Sequence, residues 1–178
     1  MSARFCLACG GRLKPVTEGG RRRRRCGRCG WTFYDNLVPA TAAVVVERGR
    51  VLLTRRAREP YAGTWDVPGG FLEEGEPPEV GLRREVREEL GVRVKSTEFI
   101  GFAVDSYGPR GISVLAIIYR VRLGSGRIRP SDDVAEVRWF EVAGGVPWRS
   151  IAFSALRRAL RDYLRDRSRR RRAGSSSA

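Results

Sequence analysis

Apolar residues recur along this chain with two different periods. Val44, Val45 and Val46, then Val51, Leu52 and Leu53, flank a polar ERGR segment, the pattern of a two-stranded hairpin with a glycine-containing turn. Residues 92–94 and 99–104, the run ISVLAIIYRVRL over Ile112–Leu123, and Val134–Glu141 are rich in β-branched and aromatic residues and predict further strands. Trp139 and Phe140 in the last of these are expected to be partly buried. A helical period replaces the strand pattern over residues 79–90, where Leu82, Val86 and Leu90 form one stripe. Pro77 and Pro78 suit the start of that helix, where a missing N–H costs little, and Gly91 stops it. A second helix is predicted from Ser154 to about Arg167, with Leu156, Leu160, Tyr163 and Leu164 on its buried face. Residues 31–39 read as a connector, and 105–111 and 124–133 as loops. The tail 168–178, SRRRRAGSSSA, reads as disordered.

The polar side of the 79–90 helix changes this picture. Glu85, Glu88 and Glu89 stand at i, i+3 and i+4, so their carboxylates project from one side, off the stripe. One reading is a solvated acidic face laced with Arg83, Arg84 and Arg87 through ion pairs along the helix. The other is a site for Mg²⁺ or Mn²⁺, which favour carboxylate oxygens and retain waters or phosphate oxygens. The Gly69-Gly70 turn in front of the helix favours the second.

Residues 70–92, GFLEEGEPPEVGLRREVREELGV, resemble the Nudix box, G-x5-E-x7-R-E-U-x-E-E-x-G-U, where U is a bulky aliphatic residue. Gly70, Glu76, Arg84, Glu85, Val86, Glu88, Glu89, Gly91 and Val92 match every fixed position. Trp65 reads as a core residue, and its place before the double glycine resembles the G-x-W-x-x-P-G-G lead-in of many Nudix enzymes. The resemblance implies an α/β fold, the Nudix α/β/α sandwich with a mixed sheet, over residues 37–167. It implies a metal-dependent hydrolase acting on the pyrophosphate of a nucleoside diphosphate linked to another moiety. By the family pattern, Glu85 and Glu89 are the expected ligands of Mg²⁺ or Mn²⁺, with Glu88 and the Gly70 carbonyl beside them. Arg84 is expected to orient the glutamates, and Glu76 to be a structural cap or a peripheral ligand. The general base is open among Glu88, Asp133 and Glu136, and Asp132 and Asp133 read equally well as a solvated turn. Arg56, Tyr107 and Arg110 are candidates for substrate contact that no motif fixes. Tyr107 and Pro109 both fall near a position that sets specificity in some Nudix groups, and they hint at different groups.

The four cysteines form two CxxC knuckles, Cys6/Cys9 and Cys26/Cys29. That spacing predicts a structural zinc site with four thiolate ligands and a small ribbon over residues 1–36. Two Nudix subgroups pair such a ribbon with the hydrolase domain. The NADH pyrophosphatase group, also linked to removal of NAD caps from RNA, carries SQPWPFP downstream of the box, which is absent here. The group resembling plant FAD and ADP-ribose pyrophosphatases ends in a pattern that looks like Ser150-Ile-Ala-Phe-Ser154. The preferred substrate class is therefore ADP-ribose, FAD or NADH. The alternatives are NAD-cap removal from RNA, hydrolysis of nucleoside triphosphates or dinucleoside polyphosphates, and a nucleic-acid-binding or ligand-sensing regulator on the same fold.

Composition adds boundaries. The chain has 178 residues, 42% of them hydrophobic, enough for one main domain and a small module. No apolar run reaches the roughly 18 residues of a membrane span, and the start lacks the apolar region of a signal peptide, so a cytoplasmic protein is expected. There is no His, so a general base must be a carboxylate, a metal-bound hydroxide or another group. The net charge of +15 is concentrated in Arg21–Arg25, expected in a loop between the knuckles, and in residues 157–172. Such runs attract polyanions, but the scarcity of aromatics within them argues against base stacking. Nonspecific nucleic-acid binding through the Arg tracts is left open, as is a homodimer.

Overall fold

The computed structural model describes the backbone of residues 3–175 and the side chains of residues 3–167. The N-terminal part forms a three-stranded antiparallel sheet of β1 (Leu13–Glu18), β2 (Arg21–Cys26) and β3 (Thr32–Phe33). The two CxxC knuckles repeat one hydrogen-bond pattern: Gly10 N–H donates to Cys6 O at 2.9 Å and Gly30 N–H to Cys26 O at 3.0 Å. Cys6, Leu13 and Cys26 are buried, with Trp31 and Phe33 packed on them. The arginine run is not a loop. Arg21 to Arg25 are strand β2, paired residue for residue with β1 from Glu18↔Arg21 to Leu13↔Cys26. Gly19 and Gly20, both at positive φ, make the tight turn that allows this hairpin. The sequence reading missed it because a ribbon strand wet on much of its surface carries no hydrophobic alternation.

The main domain is a six-stranded mixed sheet ordered β6-β5-β4-β8-β7, with β9 beside β5. Its strands are β4 (Val38–Glu47), β5 (Arg50–Arg56), β6 (Trp65–Asp66), β7 (Val94–Tyr107), β8 (Ile112–Leu123) and β9 (Val134–Glu141). β8 and β9 match the predicted spans, whereas β7 is one long strand where two short ones were expected. β4 and β8 run parallel from Val38↔Val114 to Val45↔Val121. The helices α1 (Pro78–Leu90) and α2 (Ser154–Ser175) cover opposite faces. The apolar run of β4 is continuous because both faces are buried. Ala42 and Val44 join a core with Leu156, Leu160 and Leu164 of α2, while Ala43 and Val45 join another with Leu82, Val86 and Leu90 of α1. α2 continues past Arg167 to Ser175, so the backbone of 168–175, read from composition as part of a disordered tail, is helical. Residues 176–178 of that tail lie outside the described residues. Among the described residues, no helix is long and apolar enough to cross a membrane.

Two connections fix α1 and the turn before it. The segment Pro68–Leu72 runs along β4 as a surrogate strand: Ala43 N–H donates to Pro68 O at 2.7 Å, Thr41 N–H to Gly70 O at 2.8 Å, and Leu72 N–H to Pro39 O at 3.1 Å. The loop after β8 returns to the end of α1, where Arg129 N–H donates to Leu90 O and Ser131 N–H to Glu89 O, both at 3.0 Å. Those bonds satisfy carbonyls that a helix C-terminus leaves without partners.

Asp105, expected in a loop, instead lies in β7 and caps α2. Its carboxylate accepts from Ala155 N–H at 2.9 Å, Leu156 N–H at 2.9 Å and the Ser154 hydroxyl at 3.3 Å. A carboxylate at a helix N-terminus pairs with unsatisfied N–H groups and with the positive end of the helix dipole. Replacing Asp105 by Ala is expected to cost about 1–2 kcal/mol of stability. Urea unfolding followed by circular dichroism checks this, and an unchanged midpoint would show that the cap is not holding α2.

Candidate functional site

The site forms where the glycine turn, α1 and the 124–133 loop meet. Gly69 and Gly70 are required there by close approach. A Cβ on Gly69, whose φ is +144°, would stand 2.1 Å from Thr41 O, and one on Gly70 would stand 2.5 Å from Glu85 Oε1. The turn therefore presses backbone directly against the carboxylates of α1. Gly69 N–H donates to Glu89 Oε2 at 3.0 Å.

Arg84 organises the polar side of α1. Its Nε and Nη2 donate to the two Glu76 oxygens at 2.9 Å each. Its Nη1 donates to Glu85 Oε1 at 2.8 Å and to Glu88 Oε2 at 3.1 Å, and Nη2 also reaches Phe71 O at 3.1 Å. One guanidinium thus ties three carboxylates and the turn to one another. Hydrogen bonds from Arg84 hold the Glu76 carboxyl down to about 2.

A cavity of about 330 Å³ lies beside this network, lined at one end by Gly70, Glu85, Glu89, Asp66, Asp132 and Asp133. Glu89 is 5% exposed. Burial pushes its carboxyl well above the ordinary range, against the Gly69 N–H, and the charges of Asp133, Glu85 and Asp66 add to the rise. Burial likewise raises Glu85, against Arg84, and lifts Asp66 to about 6, against Arg56. The other end of the cavity is aromatic. Arg56 donates to Asp66 at 3.3 Å and to Tyr107 Oη at 3.4 Å, and its guanidinium lies over the Tyr107 and Phe153 rings at 5.9 and 5.7 Å. Phe71 meets Tyr107 edge-on at 5.1 Å.

The structure brings together most of the residues singled out from sequence. Gly70, Glu85, Glu89, Asp133, Arg56 and Tyr107 all line the cavity. Glu88 stands outside its lining, on Arg84. Glu136 is also outside, on β9, held by Arg55 at 3.6 Å and by Arg138. Arg110 is exposed at the β7–β8 turn, away from the lining. Sequence reasoning missed Asp66, Thr41, Asp105 and Phe153. Thr41 Oγ1 is buried on the cavity wall without a hydrogen-bond partner. Phe153 lies in the Ser150–Ser154 pattern. A bridge of Ile151 to Trp65 and a 2.9 Å bond from Ala152 N–H to Trp65 O carry it into the cavity wall.

Two donor sets could hold metal. Among the described residues, Cys6, Cys9, Cys26 and Cys29 are the group whose ligand atoms lie within 4.8 Å of one another. Their sulfurs approach to 3.4–3.6 Å, near the about 3.8 Å edge of a tetrahedron with Zn–S of about 2.3 Å. The N–H groups of Cys29 and Arg28 hold the Cys26 thiol down to about 7. At the cavity, the buried Glu89 and the partly buried Glu85, both raised by desolvation, fit a hard divalent cation. Glu85, Glu88 and Glu89 do not themselves close to the mutual spacing of the cysteines, because Arg84 draws Glu85 and Glu88 to itself.

Fold and site together define a class. The NUDIX domain model matches residues 37–157, and the chain belongs to the Nudix family. It is 34% identical over 169 residues to the NAD-capped RNA hydrolase NudC of Chromobacterium violaceum, covering 93% of this chain and 61% of that protein. It is 30% identical over 136 residues to the ADP-ribose pyrophosphatase of Methanocaldococcus jannaschii, covering 76% of this chain and 78% of that one. A solved NUDIX hydrolase from Nitrosomonas europaea superposes with a TM-score of 0.74 at 30% identity, covering 94% of this chain and 93% of its own. The chain spans about three fifths of the length of the NudC relative.

Glu76 gives this network a pH signature. A carboxylate held near 2 rather than 4.5 contributes stability that is present above pH 4.5 and is lost as pH falls through 2. The stability gap between wild type and Glu76→Gln should therefore be widest above pH 4.5 and shrink as the solution is acidified. Denaturation midpoints across that range measure it, and a gap independent of pH would mean that the Arg84 pair contributes nothing.

Proposed function

We propose that this protein is a metal-dependent pyrophosphohydrolase. Its substrate is a nucleoside diphosphate linked to another moiety, of the ADP-ribose, FAD or NADH class. The observation that carries this reading is the buried carboxylate of Glu89 beside the partly buried Glu85, on the wall of a cavity whose lining also includes Arg56, Tyr107 and Phe153. Glu85 and Glu89, with Glu88 and the Gly70 carbonyl, would hold Mg²⁺ or Mn²⁺. The Gly70 oxygen accepts from Thr41 N–H and keeps a second lone pair. The metal supplies Lewis-acid stabilisation of charge on the two phosphates. Arg84 orients Glu85 and Glu88. Asp133 is the favoured base for the attacking water, because it lines the cavity, whereas Glu88 is engaged by Arg84 and Glu136 by two arginines. Arg56, braced by Asp66, offers a cation to the phosphates, and Tyr107 offers a ring beside it. The four cysteines would hold one Zn²⁺ that folds the ribbon and leaves no open position for chemistry.

The match to the NudC relative over 169 residues favours a second reading, hydrolysis of NAD-capped RNA, since so long a match must include much of the ribbon. A panel of ADP-ribose, FAD, NADH, nucleoside triphosphates, diadenosine polyphosphates and NAD-capped RNA, with Mg²⁺ and with Mn²⁺, separates the two. Turnover of none of them would leave a binding or sensing role on the same fold.

Glu85→Gln and Glu89→Gln should each lower turnover by more than the roughly 10–100-fold that loss of a group behind a ligand costs, while the thermal transition is kept. Near-wild-type rates at saturating Mg²⁺ would remove them from the metal site. Purified protein should contain one zinc per chain, and Cys26→Ser should lower that content and loosen the ribbon, since ligand binding is coupled to folding. Protein without zinc and with its cysteines oxidised in pairs would replace the metal site by disulfides.

A further inference from the structure

The ribbon carries a cationic and aromatic face that the cavity does not use. Side chains alternate across β2, so Arg21, Arg23 and Arg25 share one face. The cross-strand register puts Lys14 beside Arg25 on that face. Arg23 lies over the Tyr34 ring at 5.2 Å and donates from Nη1 to Tyr34 O at 2.6 Å, which fixes a guanidinium–aromatic stack beside the middle of the row. The Tyr34 ring is not buried by this stack, since the residue remains 49% exposed. Glu18 pairs with Arg25 of this row at 2.6 Å. A groove follows directly, lined by Leu7, Trp31, Phe33 and Tyr34. The arginine run contains no aromatic residue of its own. Strand pairing and the Arg23 stack supply them, with Phe33 opposite Arg24 on the other face of β2.

A row of cations recurring about every 6.7 Å along an extended strand, with a half-exposed ring beside its middle member, matches a polymer that alternates phosphates with flat faces. Duplex nucleic acid hides its base faces, and this ribbon offers no helix to enter a groove. A single strand presents both features, with the backbone on the cations and bases free to stack. We propose that this face of the ribbon binds single-stranded nucleic acid, with the backbone along Arg21, Arg23 and Arg25 and a base stacked on Tyr34. The site stands apart from the hydrolytic reading and does not depend on it.

The test uses the full chain and labelled strands of about 12 nucleotides, a length within the usual site sizes, as RNA, as DNA and as duplex, with heparin as a polyanion without bases. Affinities are measured from about 50 to 200 mM salt, where phosphate contacts show their steepest signature. Single strands should bind more tightly than the duplex. Tyr34→Leu should weaken single-strand binding about fivefold or more and leave heparin binding unchanged. Arg21→Ala with Arg23→Ala should flatten the salt slope by about 1.4, at about 0.7 per lost phosphate contact. Binding of RNA, DNA or both supports the site, because the chemistry recognised is common to the two. A photoreactive single strand should crosslink within residues 31–36, a readout that requires no variant to fold. Unchanged affinity in Tyr34→Leu, crosslinks confined to the tail, or loss of binding on deletion of residues 168–178 alone would overturn the proposal.

Discussion

The guanidinium of Arg84 is the constraint on which the site depends. Glu76, Glu85 and Glu88 all bond to it, and the Phe71 carbonyl bonds to it as well. Glu85 and Glu76 are each only slightly exposed. Partly buried carboxylates this close would repel one another without a fixed cation among them. Arg84 supplies that charge, and its planar fork sets direction as well as sign. Because it reaches both the helix and the turn, the position of the carboxylates and the path of the backbone at Gly70 are one structural fact.

That backbone path depends in turn on β4. The strand pairs with β8 on one edge, and β5 pairs with it only near Val46 and Glu47. The vacated edge is taken by Pro68–Leu72, which satisfies the N–H groups of Thr41 and Ala43. An N–H left unpaired in the sheet interior would be costly, so the turn is held by hydrogen bonding rather than by side-chain packing. This is why two glycines are needed where the chain passes between β4 and α1, and why the bound segment forms the floor of the cavity.

Legibility of the sequence followed periodicity. α1, β8 and β9 were readable because each carries an uninterrupted pattern, and the carboxylates of α1 followed from helical spacing alone. β2 was unreadable because arginine on both faces has no hydrophobic period. Asp105 and Asp66 were unreadable for another reason: each is one acidic residue whose meaning comes from a distant partner, the α2 N-terminus for one and Arg56 for the other. Phe153 had a signal, its place in the Ser150–Ser154 pattern, but only the bridge to Trp65 shows where the pattern puts the ring. Glu136 shows the converse. The family pattern left it open as a base beside Glu88 and Asp133, yet it lies in β9, where it is held by Arg55 and Arg138.

The cavity is chemically divided, and the division follows from which elements meet there. Its acidic end is built by α1 and by the loop that β8 sends back to cap α1, so Glu89 and Asp133 are neighbours because a helix end needed hydrogen-bond donors. Its aromatic end is built by β7 and by the segment leading into α2, so Tyr107 and Phe153 are neighbours because Asp105 anchors that helix. Arg56 bridges the two ends, with Asp66 on one side and the rings on the other. On the proposed hydrolase reading, a molecule with a flat ring at one end and adjacent phosphates at the other would meet complementary chemistry along this axis. Burial holds the Glu89 carboxyl well above the ordinary range, with the Gly69 N–H opposing the rise. On the proposed metal-dependent reading, the same burial would favour taking up a divalent ion together with the phosphates it neutralises.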